Sequence, residues 1–214
     1  MTPLLAISNR RAVLLGGSAF VLAACGDLIG PASTPQQLYS LKPQGAAPMP
    51  GPKADFSLAV QASTASQHLD SLRIALAQSD GRVDYYADAA WTDRLHVLVQ
   101  SALVEAFESS GRIAAVAAEG EGFQADYILD ADIRDFEARY ALPDGIPAVR
   151  VRIVAKLAPI RGRAIVAELN SVHDVPASEN SVAAVVRAFD AALGQALSDI
   201  VPWALSAAHG KGGG

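Results

Sequence analysis

Two long runs of alternating apolar and polar residues, separated by a tight turn, constrain this chain more than any other feature. In the first run, residues 125–140, the apolar residues stand at odd positions as far as Ile133 and at even positions from Phe136 onward. Alternation with a period of two predicts a half-buried strand, and one extra residue near Arg134 explains the change of phase as a β-bulge. After the turn at residues 143–145, the second run, 149–157, predicts the antiparallel partner strand.

The polar positions of these two strands carry opposite charges. Pairing about the turn brings acids of the first strand next to bases of the second, and each such pair contributes about 0.2–1 kcal/mol. We therefore expect this basic row to be neutralised locally rather than to bind an anionic ligand. The expected neighbours are Arg150 with Glu137, Arg152 with Asp135, and Lys156 with Asp130 or Asp132.

The remaining pattern predicts a sheet with two helices. Asp88 is the expected N-cap of a helix whose apolar face begins at Trp91 and which ends at Gly111. A second, Ala-rich helix is expected from Ser178 or Ser181, and Pro202 is expected to kink or end it. The predicted fold class is α+β: an antiparallel twisted sheet with two long amphipathic helices packed on it. Further strands are predicted at 56–60, 72–76 and 83–86, the last two forming a hairpin, and at 112–117 and 165–175.

The N-terminal segment has the composition of an export signal. Arg10 and Arg11 precede an uncharged apolar run from Ala12 to Ala24, which is thirteen residues long. A membrane-spanning helix needs about twenty apolar residues, so this run suits the core of a signal peptide better than a stable span. Both the general secretory route and the twin-arginine route stay open.

The sequence Leu22-Ala23-Ala24-Cys25, which closes this run, resembles the lipobox of bacterial lipoproteins. The resemblance implies that Leu22, Ala23 and Ala24 are recognised by the signal peptidase, and that Cys25 is the lipid attachment site, carrying diacylglycerol and a further acyl chain such as palmitate. Each buried CH₂ adds about 0.8 kcal/mol, so several acyl chains attach a protein to a membrane stably. The alternative is a free cysteine buried in a short N-terminal helix.

These features divide the chain into four predicted parts. They are a signal peptide at 1–24, a lipidated cysteine with a flexible tether and a short edge strand at 25–54, a single α+β domain at 55–208, and a disordered tail at 209–214.

The residue after the lipidated cysteine is Gly26 rather than the Asp that retains lipoproteins at the inner membrane of enteric bacteria. We therefore expect an envelope protein that faces the periplasm, with the outer membrane favoured.

Charge and composition exclude several classes of function. The net charge is −5, and removing residues 1–24 with their two arginines leaves 15 minus 22, or −7. A nucleic-acid partner is therefore not expected, and the membrane should be reached through the acylated cysteine rather than a basic surface. The four histidines lack metal-ligand spacing and no nucleophile elbow or phosphate-binding loop occurs, so we expect no metal, no cofactor and no enzyme. An envelope enzyme would need a pocket that joins His173 and Asp174 to a nucleophile.

Several segments together resemble the ABC-type transport auxiliary lipoprotein family, which includes the paraquat-inducible lipoprotein PqiC and the auxiliary components of mammalian-cell-entry (MCE) lipid transport systems. The resemblance runs from the lipobox to about Leu205. It implies a non-catalytic periplasmic domain that serves a lipid transporter, with an MCE-domain protein and the ABC permease and ATPase subunits as partners. The segments that carry it are Leu72–Ile74, Asp84–Trp91, Ser110–Arg112, Ala125–Tyr127 and Phe136–Glu137, with Phe189 and Trp203 in the final helix.

Three questions stay open at this point. The alternative function is that of an outer-membrane-assembly lipoprotein that binds lipid or polysaccharide itself, which an apolar cavity between sheet and helices would favour. Tyr85, Tyr86 and Trp91 suit core packing better than a partner-binding patch, because the chain has few large aromatics for its core. A homo-oligomer, including a ring, is also compatible with the sequence.

Overall fold

The computed structural model describes residues 36–43, 48–120, 122, 124–162 and 164–209. These residues form one mixed sheet and two helices. In chain order the elements are β1 (Gln37–Tyr39), β2 (Ala54–Val60), β3 (Thr64–Ala65), β4 (Arg73–Gln78), β5 (Val83–Trp91), α1 (Leu95–Ser110), β6 (Ile113–Ala118), β7 (Tyr127–Tyr140), β8 (Ala148–Pro159), β9 (Ala167–Pro176) and α2 (Val182–His209).

Strand β7 organises the sheet because both of its edges are paired. One edge pairs with β8 over nearly the whole of its 14 residues. The other edge is shared by three short strands laid end to end: β2 lies opposite residues 127–129, β3 opposite 132–133 and β4 opposite 138–140. Strand β6 extends the sheet beyond β2, and strands β5 and β1 extend it beyond β4.

The prediction of an antiparallel sheet is wrong for five of the eight strand pairs. Strands β2, β3 and β4 all run parallel to β7, and β1–β5 and β2–β6 are parallel as well. The pairs β4–β5, β7–β8 and β8–β9 are antiparallel, and each of them is a hairpin of consecutive strands. Alternation of side chains is the same in both kinds of pair, so the sequence pattern reveals direction only where a short turn joins the partners.

The long hairpin of β7 and β8 has the predicted register. Ile133 lies opposite Ile153 and Asp135 opposite Arg152, which leaves Arg134 as the extra residue of the predicted bulge. Successive side chains of a strand point to opposite faces, so one extra residue exchanges the two faces. Beyond the bulge, the even-numbered residues of β7 therefore face the core. The register therefore follows from local pattern alone.

The boundary between β5 and α1 differs from the prediction. Strand β5 continues to Trp91, and α1 begins only at Leu95. Asp88 is not an N-cap: it lies within β5 at a φ of 53°, beside a shift of register against β4. Trp91 has the three- and four-residue spacing of the α1 face by coincidence, since its side chain is buried from a strand. Gly111 does end the helix, at a φ of 63°, with its N–H donating to the Glu108 carbonyl oxygen at 3.1 Å.

Helix α2 begins where one of the two predicted caps places it. The Ser181 Oγ accepts the Ala184 N–H at 3.2 Å, which satisfies one of the free donors of the first turn. The helix then runs for 28 residues, through Pro202, to His209. Pro202 therefore does not end the helix, although it lacks the N–H that would bond to the preceding turn. Residues 210–214 of the predicted tail lie outside the described residues.

The core lies between one face of the sheet and the two helices. Helix α2 packs on β8 and β9, and α1 packs on β6 and against α2. Trp91, Phe136 and Phe189 meet there with ring centroids 4.7–6.1 Å apart, and all three are at most 2% exposed. The opposite face of β8 carries half-buried Arg150, Arg152 and Lys156. The sheet thus has one apolar face, covered by the helices, and one face that carries charge.

Candidate functional site

The predicted lipid attachment site, Cys25, lies outside the described residues, as do Leu22, Ala23 and Ala24. The structure instead shows where the chain that follows reaches the sheet. Gln37 is the first residue of β1 and is paired with Ala89 of β5. Gln37 lies 37 minus 25, or twelve, positions after Cys25 in the sequence. A fully extended chain of twelve residues is at most about 40 Å long.

After β1 the chain is held to α2 by a half-buried carboxylate. The Lys42 backbone N–H donates to the Asp190 Oδ1 at 2.7 Å. Burial raises the pKa of Asp190 above its ordinary value, and the Lys42 N–H and the charge of Lys42 oppose that rise only in part. Leu41, one residue earlier, packs against the hydrophobic core.

The segment just before β2 is held in a similar way by the end of α1. The Met49 N–H donates to the Ser110 carbonyl oxygen at 3.1 Å, and the Arg112 guanidinium donates to the carbonyl oxygens of Pro50 and Pro52 at 2.6 and 2.7 Å. Gly51 has a φ of 125°, and a Cβ there would stand 2.7 Å from the Arg112 Nη1. The described part of the predicted tether therefore rests on the domain, while the domain boundaries themselves stay a prediction.

On the charged face of the sheet, the cross-strand neighbours are those expected, but the ion pairs are different. Arg150 lies opposite Glu137 in the register yet makes a two-pronged pair with Asp174 of β9, at 2.7 Å for both bonds. These bonds lower the pKa of Asp174 and raise that of Arg150. Arg139, within β7, pairs with Asp135 at 2.8 Å and Glu137 at 2.9 Å. Arg139 and Arg150 are thus paired with acids of the protein, whereas Arg152 donates to the neutral Asn170 Oδ1 at 3.1 Å.

His173 does not form a catalytic arrangement with its neighbours. The Asp199 Oδ2 of α2 lies 2.7 Å from both the Ser171 Oγ and the His173 Nε2. A serine nucleophile requires the imidazole to stand between the hydroxyl and the carboxylate so that it can take the hydroxyl proton. Here the carboxylate stands in the middle, and Ser171 is only 2% exposed. The cluster joins β9 to α2, and Asp174, the partner proposed for His173, is bound to Arg150.

The Asp70 side chain caps helix α1 from a loop that is distant in the sequence. The side chain of the N-cap residue, Arg94, makes no capping hydrogen bond itself. The Asp70 Oδ1 accepts the His96 N–H at 3.4 Å and lies 2.7 Å from the His96 Nδ1, and the Asp70 Oδ2 lies 3.8 Å from the Arg94 Nη1. Partial burial tends to raise the pKa of Asp70, but the hydrogen bonds from His96 and the charges of His96 and Arg94 lower it further than burial raises it. The carboxylate also suits the positive end of the helix.

The three aromatic residues of the segment Asp84–Trp91 have separate roles. Trp91 is in the core, and Tyr85 lies under the Arg73 guanidinium, 3.7 Å from its ring centroid. The Tyr86 hydroxyl is 2.9 Å from the Tyr140 hydroxyl, which in turn donates to the Asn180 Oδ1 at 2.8 Å. Burial and the bond to Tyr140 raise the pKa of Tyr86. The hydroxyl groups form a chain from β5 through β7 to the start of α2.

That chain ends at the predicted turn between β7 and β8, whose exposed apolar residues the sequence analysis did not single out. The Asn180 Nδ2 donates to the Asp144 carbonyl oxygen at 3.2 Å, and the Ala177 N–H donates to the Pro147 carbonyl oxygen at 2.9 Å. The turn they hold, between β7 and β8, exposes 70% of Leu142 and 60% of Ile146. The available signal was two large apolar residues inside a turn rich in proline, where polar residues are usual.

An open groove of about 200 Å³ lies between α1 and the end of β6, and it is lined in part by Glu105 and Glu108, which does not suit an acyl chain. Within the described part of the chain, no group of three or more His, Cys, Asp or Glu side chains is placed to hold a metal ion. Neither of the two described helices combines the length and the apolarity needed to cross a bilayer.

Comparison with known proteins agrees with this architecture. The crystal structure of XCC0632 from Xanthomonas campestris, of the family model DUF330, has a TM-score of 0.75 at 30% identity and covers 81% of this chain and 97% of its own. A crystal structure of an uncharacterized protein, at 16% identity, shares the fold with a TM-score of 0.63 and covers 79% of this chain and 99% of its own.

The uncharacterized protein bll6063 of Bradyrhizobium diazoefficiens is 29% identical over 189 residues, which are 87% of this chain and 50% of that protein. The chain thus spans about half the length of this curated relative. A family model described as the ABC-type transport auxiliary lipoprotein component matches residues 39–201. Since that match takes in most of the chain, the resemblance drawn from its sequence is confirmed, and the chain belongs to the ABC-type transport auxiliary lipoprotein family.

Proposed function

We propose that this chain is a membrane-anchored, non-catalytic accessory lipoprotein of an ABC-type lipid transport system of the MCE or PqiABC kind. The observation that carries the proposal is the order of two features in one chain. A lipobox ending at Cys25 stands just ahead of a domain that matches the transport auxiliary family from residue 39. The acylated Cys25 holds the domain at the membrane, and the domain binds the transporter.

The packing of the domain supports an accessory role. The rings of Trp91, Phe136 and Phe189 pack against one another between the sheet and the helices, as side chains of a protein core do. The polar clusters on the sheet join elements of the fold to one another, as Asp199 joins β9 to α2. A domain of this kind acts by binding, with the MCE-domain protein and the permease and ATPase subunits supplied as separate chains.

The residue after Cys25 also indicates a location in the envelope. Gly26 follows Cys25, so the lipoprotein is expected to be sorted to the outer membrane and to face the periplasm. The mature chain is acidic, so attachment depends on the acyl chains rather than on attraction to anionic lipid. A matched control is available in Gly26→Asp, which leaves acylation intact and is expected to hold the protein at the inner membrane of an enteric host.

The experiment measures acylation and partners in the same cells. Radiolabelled palmitate is expected on the wild-type chain and on Gly26→Asp but not on Cys25→Ser. After cross-linking in the native host, the MCE-domain protein is expected to co-purify with the wild-type chain. Absence of label from the wild-type chain would refute the lipid anchor. A labelled chain that cross-links to no MCE, permease or ATPase subunit would refute the transport assignment.

A further inference from the structure

The end of the molecule that carries the β7–β8 turn presents two large apolar side chains to solvent. We call Leu142 and Ile146 the apolar tip; they are 70% and 60% exposed. Soluble proteins place polar residues in turns because turns lie at the surface. Exposed apolar residues that are grouped at one end mark an interaction site more often than scattered ones do.

The tip is held in position rather than free to fold back onto the domain. Within the turn, the Gly145 N–H donates to the Leu142 carbonyl oxygen at 3.1 Å. From outside, Asn180 and Ala177 bind the carbonyl oxygens of Asp144 and Pro147. These bonds come from the connection between β9 and α2, so the tip is supported by two neighbouring elements and its side chains stay exposed.

The direction of the strands shows from which side the chain enters the sheet. Strand β4 runs parallel to β7 and therefore toward the tip, β5 runs back away from it, and β1 runs parallel to β5. The chain thus enters β1 at Gln37 from the side of the tip. Gln37 lies twelve positions after Cys25, and an extended chain of that length reaches at most about 40 Å. The six strand residues from the level of Ala89 back to Val83, at the tip end, span roughly 20 Å. The chain before Gln37 is therefore long enough to reach the tip end.

The charges around the tip indicate which lipid it meets. Among the described residues, the exposed acids at this end are Asp80, Asp84, Asp144 and Glu179. The bases are Arg82, which pairs with Asp80 at 2.8 Å, and Arg187, which lies 3.9 Å from Glu179. Acids exceed bases by two. A surface of this kind is repelled weakly by anionic headgroups and tolerates zwitterionic ones.

We propose that Leu142 and Ile146 insert into the zwitterionic lipid surface to which acylated Cys25 attaches the chain, and that this second contact orients the domain on the membrane. The inference rests on the lipid anchor of the proposed function. Because the anchor already holds the domain near the surface, a weak second contact is enough to keep one orientation.

The test uses the acylated full chain, purified from a bacterial host and bound to vesicles of phosphatidylcholine and phosphatidylethanolamine. Cys25 is the only cysteine and its sulfur is consumed by the lipid, so a cysteine introduced elsewhere is the only free thiol. The variants Leu142→Cys and Ile146→Cys are labelled with nitrobenzoxadiazole. The matched control is Ile165→Cys, which replaces a residue that is 59% exposed in the turn between β8 and β9, at the opposite end of the sheet.

The label at positions 142 and 146 is expected to shift to the blue and to be quenched by acyl-chain spin-labelled lipid several-fold more than the label at 165. Adding phosphatidylglycerol is expected to weaken that difference. Equal quenching at 142 and 165, or a difference that grows with anionic lipid, would overturn the proposal and leave a protein partner as the occupant of the tip. Pelleting with vesicles is measured first: a chain that does not pellet refutes the anchor and the proposed function, whereas a chain that pellets with a water-exposed label at 142 refutes the insertion alone.

Discussion

The two turns on either side of strand β8 differ in the hydrogen bonds that hold them. The β7–β8 turn exposes Leu142 and Ile146, and the β8–β9 turn exposes Ile160 and Ile165. The first turn is bonded by Asn180 and Ala177, which belong to the connection between β9 and α2. In the described part of the second turn, two bonds lie at the base: the Ile160 N–H donates to the Asp126 carbonyl oxygen, and the Val166 N–H donates to the Leu157 carbonyl oxygen.

This difference shows that exposure alone does not identify a binding surface. Ile165 is about as exposed as Ile146, so a search by exposure ranks the two turns together. Among the described residues, Tyr140 and Asn180 join the first turn to the interior of the domain. A braced apolar turn can insert into a membrane without first losing conformational entropy, whereas a loose one must be ordered when it binds.

The largest effect on this comparison is expected from Tyr140→Ala. Tyr140 is 8% exposed, and removing its ring from the core is expected to lower the free energy of unfolding by about 3–5 kcal/mol. Tyr140→Phe keeps the ring and loses only the hydroxyl, so a smaller loss of about 1 kcal/mol is expected. Urea unfolding measures both values. Hydrogen exchange of Tyr140→Phe should rise more in the β7–β8 turn than in the β8–β9 turn, and an equal rise in both would contradict the bracing.

A middle-sized effect is expected from Asn180→Ala, which removes the bond to the Asp144 carbonyl oxygen and the acceptor for Tyr140. Since Asn180 is exposed and water can replace part of what is lost, the expected loss is about 0.5–1.5 kcal/mol. Asn180→Asp is the matched control because it keeps an acceptor for Tyr140 but has no donor for Asp144. If exchange in the β7–β8 turn rises in both variants, the bond to Asp144 braces the turn; if it rises only with alanine, the bond to Tyr140 does.

The smallest effect is expected from Asp70→Asn, at the start of α1 and remote from both turns. The amide keeps an acceptor for the His96 N–H but loses the charge at the helix terminus, for an expected cost of about 0.3–1 kcal/mol at neutral pH. The pKa of Asp70 is lowered by folding, so this stabilisation is present above the unfolded pKa and is lost as the pH falls through the folded one. Chemical unfolding of wild type and variant should therefore converge in acid, and both turns should be affected equally. A difference that persists in acid would show that the charge of Asp70 is not its source.

Local features of the fold could be read from the sequence because their causes are local. The bulge at Arg134 and the register of β7 with β8 follow from a change of phase and a short turn. The partner of Arg150 could not be predicted in the same way, because Asp174 belongs to a third strand and offers two oxygens in the plane of the guanidinium. Trp91 was assigned to the wrong element because a single residue fits both the helical and the strand spacing.

The candidate site divides along the same line. The lipobox-like sequence that ends at Cys25 is a linear signal, so a lipid attachment site could be predicted there without a structure. The apolar tip could not, because Leu142 and Ile146 gain meaning only once β1 is seen to enter from their side of the sheet.

The sequence by itself determined the hairpins, the two helices, the family and the predicted anchor, since each depends on residues close together in the chain. Only the tertiary structure decided that β2, β3 and β4 share one edge of β7 in parallel, and which turn is braced. Parallel pairing joins distant segments whose alternation is the same in either direction, so no local pattern records it.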